Sequence, residues 1–203
     1  MNKELLTKHD PNLRYLIRAY QSRFDTWMDT LKLSRDVVQL RVLPVYGITD
    51  WVAQFNSLGV REDGTIGYQI EAFYDVNKDI GYFMRRYVLS TKSTGVMTSD
   101  RMEDIIVHEL GHAVHYIVQY KCGIDMHSEL QAYLDYHATE ENAPSKYSLK
   151  NKFEIFAEMF VEYCLVDISA WSMATLSYAG FIGGAIDAAS DYCKGHPPSL
   201  VNK

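Results

Sequence analysis

Apolar residues recur at helical spacing through much of this chain and alternate singly in a shorter region before residue 91. Leu13, Leu16, Ile17, Tyr20, Phe24, Trp27 and Leu31 share one helix face, so residues 10–32 are expected to be helical. Asp10 can cap that helix, and Pro11 suits its first turn. Val38, Leu40 and Val42 alternate with Gln39 and Arg41, the pattern of a half-buried strand, which Pro44 confines to an edge or ends. Residues 50–58 read as a short helix closed by Gly59. Alternation then predicts strands over 66–74 and 81–90, separated by turns at 61–65 and 75–79 and followed by a loop at 91–95.

The second half of the chain changes period. Asp100 with Glu103 resembles a capping box, and Ile106, Leu110, Ala113, Val114 and Ile117 form the apolar stripe of the helix that follows. Asp104, His108, His112 and His115 fall on another side of it, and Gly123 lies just past its end. Gly111, in the middle, costs about 1 kcal/mol relative to alanine, which implies close packing against a neighbour. Residues 128–137 predict a short helix, 138–148 a polar loop, and 150–166 a strong helix with Phe153, Phe156, Ala157, Phe160 and Cys164 on its core side. A further helix rich in small residues runs through 178–184, and His196-Pro-Pro198 begins a frayed tail.

These elements predict an α+β fold. A small, twisted, mostly antiparallel sheet would accompany the helix that carries the histidines, ahead of a mainly helical C-terminal half. One domain of 203 residues is expected, with an N-terminal α/β lobe to about residue 122 and a helical lobe from about 123 onward. A formal net charge of −6 argues against sequence-independent binding of nucleic acid, which needs a concentrated basic face. No run approaches the roughly 18–20 apolar residues that span a bilayer. The start, MNKELLTKHD, has neither an apolar h-region nor a small-residue cleavage site, so it is not read as a secretory signal. The three cysteines, Cys122, Cys164 and Cys193, lack paired spacing and read as reduced thiols in a cytoplasmic protein.

The chemistry is concentrated at His108-Glu-Leu-Gly-His112. An i, i+4 pair of imidazoles shares one helix face and can reach one metal ion, and Glu109 lies beside them, placed to take a proton from water. Catalytic zinc takes three protein ligands, so a third must come from elsewhere. The extended motif that would supply a third histidine is absent, because position 118 is Val118. His115, three residues past His112, would demand three imidazoles from one helix around a tetrahedral ion. It is expected to support the ligands from outside the coordination sphere. The best third ligand is Glu154, which shares a helix face with Glu158. One such acid can bind the metal while the other orients a ligand histidine. Should Glu154 not serve, His115, His127, Glu129 and His137 are the remaining candidates.

Tyr147, Asn151 and the run Glu154-Ile-Phe-Ala-Glu158-Met-Phe resemble the third-ligand helix of the anthrax toxin lethal factor-like metallopeptidases, a family that includes the small Pro-Pro endopeptidases. His108-Glu-Leu-Gly-His112-Ala-Val114 is similar to the first motif of the same family, and the likeness covers roughly residues 98–165. It implies a zincin-like fold and a zinc endopeptidase of gluzincin type. It implies that His108, His112 and Glu154 hold one Zn2+, that Glu109 is the general base, and that Tyr147 donates to the oxyanion. Glu158 would brace a ligand from behind. A strand within residues 66–90 would pair with an extended substrate peptide. Two other readings are an inactive module that binds a protein partner through the peptide groove, and a metal-dependent hydrolase of a non-peptide amide. The setting is a bacterial cell, a phage or an effector delivered by a non-classical route, and the sequence does not choose among them. Nor does it assign an oligomeric state.

Overall fold

The first helix, α1 (Pro11–Thr30), opens on the proline expected in its first turn. Phe24 and Met28 are buried on its inner face, and Trp27 packs against the same core. Its end is a Schellman motif. Leu33 N–H reaches the Met28 carbonyl at 2.9 Å and Lys32 N–H the Asp29 carbonyl at 3.3 Å, with Lys32 at φ 55°. The left-handed position is held by a lysine rather than a glycine, and the buried Leu33 and Met28 accompany it. The computed structural model describes residues 11–35, 37–46, 53–60, 66–74, 98 and 104–195.

Three strands follow: β1 (Val38–Tyr46), β2 (Ala53–Val60) and β3 (Ile66–Tyr74). They lie in the order β1-β3-β2. β2 and β3 are antiparallel, as neighbours joined by a short connection should be. β1 runs parallel to β3, from Val38 opposite Ile66 to Tyr46 opposite Tyr74. It continues through Pro44, and as an outer strand of the described sheet it has one unpaired side.

The expected α+β fold with a mostly antiparallel sheet is therefore corrected. Of the residues whose side chains are placed, 73% are helical, and the strands supply that body with one buried core residue, Val38. The strands themselves are mixed in direction, because β1 joins β3 rather than its sequence neighbour β2. The expected helix at 50–58 is also corrected, since residues 53–60 pair with β3. So short a helix is marginal alone, and a partner strand outweighs it. The expected strand at 81–90, the turns at 61–65 and 75–79, the loop at 91–95, the Asp10 cap, the Asp100–Glu103 box and the tail from His196 lie outside the described residues.

The helical body is α2 (Ile105–Tyr116), α3 (His127–Tyr136), α4 (Lys152–Leu165) and α5 (Met173–Lys194). The α2 stripe is wholly inside: Ile106, Leu110, Ala113, Val114 and Ile117 are at most 1% exposed. α2 passes directly into a π-helical turn, Ile117–Lys121, and the chain then reverses at Gly123, whose φ of 71° suits glycine. Gln119 in that turn accepts from Met126 and His127 N–H and so closes the start of α3. Ser172 caps α5, and the buried Glu162 carboxylate accepts from the Ser172 and Thr175 hydroxyls there. A single core cluster draws on α1 to α5. Among the described residues no helix is long and apolar enough to cross a membrane.

Candidate metal centre

The site forms where α2 crosses α4. Gly111 sits between the two histidines of α2, and Ala157 sits between the two acids of α4. The missing side chain of Gly111 lets the helices approach until those pairs face each other. α4 is started firmly: Asn151, in extended conformation, accepts from the N–H groups of Phe153 at 2.9 Å and Glu154 at 3.1 Å. Glu154 thus stands in the first turn, where the helix dipole favours a carboxylate.

Three donor atoms from His108, His112 and Glu154 close a triangle. His108 Nε2 lies 3.1 Å from His112 Nε2 and 3.1 Å from a Glu154 oxygen, and His112 Nε2 lies 3.4 Å from the same oxygen. A tetrahedral zinc site with bonds of about 2.0–2.1 Å separates its ligands by about 3.3–3.4 Å, so the triangle has the size of one face of such a site. The donor chemistry agrees. Glu158 Oε1 is 2.7 Å from His108 Nδ1, and an ionised carboxylate only accepts, so the proton is on Nδ1. In the neutral ring Nε2 is then a bare lone pair, facing a second acceptor at Glu154. Two acceptors so placed need a proton or a metal ion between them. In the protein alone a proton does that work. Burial would lower His108, but hydrogen bonds to Glu154 and Glu158 overcome it and raise the imidazole to about 10. The two carboxyls are held below their usual range against the opposing effect of burial, chiefly by those same bonds.

Glu109 lies within 4.8 Å of the two imidazole nitrogens and could be counted as a ligand by proximity. The shorter separations belong to Glu154, which leaves Glu109 beside the triangle. Burial raises its carboxyl, opposed by the charges of His112 and His108. Tyr147 comes from a short 3-10 turn, Tyr147–Lys150, directly before α4. Its ring centroid is 5.9 Å from that of His108, and its phenol pairs with Glu154. Burial, reinforced by Glu154 and Glu109, pushes the phenol up to about 12, so it remains a donor at neutral pH.

His108, Glu109, His112, Tyr147, Glu154 and Glu158 are thus brought together. His115 is not. It is 1% exposed and packs among the rings of His127, Phe153 and Phe156, with no hydrogen-bond partner for either nitrogen among the described residues. Among the described residues it makes no hydrogen bond to His108, His112 or Glu154. The other fallback candidates are also engaged elsewhere: His127 meets His115 and Phe153 edge to face, Glu129 accepts from Tyr178, and His137 lies by Tyr133. Sequence reasoning missed Thr98, which donates its N–H and hydroxyl to Glu158, and Ser145, which also bonds that carboxylate. It used Asn151 only as part of a motif. The Asn-x-x-Glu spacing was the available sign of its capping role.

Comparisons of the chain with protein-family models, with curated proteins and with solved structures gave no match.

Proposed function

We propose that this chain is a zinc-dependent endopeptidase of gluzincin type, with His108, His112 and Glu154 holding one ion. The observation that carries the reading is the triangle of donor atoms, 3.1, 3.1 and 3.4 Å on its sides, closed by two helices. The likeness to lethal factor-like metallopeptidases rests on the same motif positions. Zinc in such a cage supplies Lewis acidity, which polarises a carbonyl and acidifies water.

The protein's own groups divide the remaining work. Glu109 takes the proton of the attacking water and passes it to the leaving amine, a role suited to a buried carboxyl with raised proton affinity. Tyr147 donates its phenol hydrogen to the oxygen on which negative charge develops. Glu158 holds His108 by Nδ1, which aims Nε2 at the ion. The substrate is a peptide bound as an extended strand. β3 is flanked on both sides by β1 and β2, so the receiving edge is another strand. The unpaired Cys122, Cys164 and Cys193 support a reducing, cytoplasmic setting.

The test is digestion of a peptide library, read by mass spectrometry, with zinc and with chelator. Cleavage that needs the metal and disappears in Glu109→Gln, with zinc retained, is the expected result. A protein that binds zinc and cuts nothing in any library would overturn the peptidase reading.

A further inference from the structure

Ten residues ahead of His108 in the sequence, Thr98 closes on the far oxygen of Glu158. Its backbone N–H donates at 2.8 Å and its hydroxyl at 2.7 Å, both to Oε2. The other oxygen, Oε1, stands 2.7 Å from His108 Nδ1. Glu158 is 1% exposed, so bulk water is not at hand to replace a lost partner. A carboxylate held at one oxygen can still swing about its last bond. Ser145 also bonds this carboxylate, but Thr98 sets two donors on the one oxygen, which holds the plane and leaves Oε1 facing the imidazole.

We propose that Thr98 is a positioning residue for the metal centre: by clamping Oε2 of Glu158 it keeps the His108 proton on Nδ1 and the Nε2 lone pair toward the ion. The inference rests on the metal-site reading above and extends it to a segment outside both motifs. A simpler role, anchoring the chain before it enters α2, predicts lost stability without a change in metal affinity. The two separate because valine keeps the shape and the N–H of Thr98 and removes only the hydroxyl. Serine keeps both donors.

The experiment measures zinc dissociation constants of the full chain by competition with a chromophoric chelator, in wild type, Thr98→Val and Thr98→Ser, with thermal unfolding of the metal-free proteins alongside. Thr98→Val should bind zinc about tenfold more weakly, the low end of the range for groups directly behind a metal's ligands, because Thr98 acts through Glu158. Thr98→Ser should restore wild-type affinity. Should Thr98→Val not fold, wild type alone decides through linkage, because a grip that helps zinc bind must be tightened by zinc. Exchange of the Thr98 amide should then slow on zinc addition more than that of the Ser172 amide, which is held by the separate carboxylate of Glu162. Equal zinc affinity in wild type and Thr98→Val, or equal slowing of the two amides, overturns the role of Thr98 while leaving the metal site standing. A wild-type protein that binds no zinc removes both.

Discussion

Gly111 rests against the backbone of Ala157: a β-carbon added to it would lie 3.0 Å from the Ala157 Cα and 3.2 Å from the Phe160 Cβ. Backbone cannot yield as a flexible side chain can. Alanine would gain about 1 kcal/mol of helix propensity, but overpacking at a tight crossing costs about 1–3 kcal/mol. Gly111→Ala is therefore expected to lower stability in urea titration and to weaken zinc binding, because the imidazoles are pushed back from Glu154. A stabler variant with unchanged zinc affinity would refute the crossing argument.

Glu154→Ala removes one of the three proposed ligands and should strip the metal, measured as zinc per chain after dialysis. Wild-type zinc content in this variant would move the third ligand elsewhere.

Tyr147→Phe keeps the ring and removes the donor. Turnover should fall by roughly ten- to a thousandfold, the scale of one oxyanion donor, while zinc affinity stays near wild type. Undiminished turnover would take Tyr147 out of the mechanism.

The metal-free protein should have a distinctive pH profile. His108 is raised to about 10, so its contribution to stability is complete below its unfolded value near 6.5 and is lost as pH rises toward 10. Glu154 and Glu158 are depressed, so theirs is present above about 4.5 and is lost in acid. Stability without zinc should therefore peak between the two. Zinc must displace the shared proton, so its affinity should rise with pH. Denaturant midpoints at several pH values, with and without zinc, check this. A flat apo profile from pH 7 to 10 counts against it.

His115 offers the reverse case. Burial, reinforced by the charges of His127, His112 and Lys152, pushes it down to about 3. Stability from its neutral form is complete above pH 6.5 and is lost as pH falls toward 3. His115→Phe removes buried nitrogens that have no partner among the described residues, so it should be neutral or stabilising and should flatten the acid limb. Zinc affinity should not change. A loss of zinc binding would restore His115 to the supporting role expected from sequence alone.

The residues of the candidate site were easier to read in the sequence than the fold, for physical reasons. An i, i+4 pair is a local property of a helix, so His108 with His112, and Glu154 with Glu158, could be read directly. Gly111 announced its close neighbour through the cost of a glycine in mid-helix, although nothing named Ala157. Strand pairing is non-local: the alternation at 66–74 located β3, but which strand would flank it, and in which direction, is decided by partners far along the chain. Residues 53–60 carried too weak a local preference to resist that pairing. Thr98 had no signature at all, because a single threonine marks nothing until Glu158 is beside it.

The Schellman turn after α1 has a consequence for engineering. Lys32 occupies a backbone shape that disfavours any side chain by roughly 1–2 kcal/mol, and it follows α1, which carries none of the residues proposed to hold the ion. Lys32→Gly is thus a route to a hardier protein by relief of torsional strain alone, with the residues of the Gly111–Ala157 crossing unchanged.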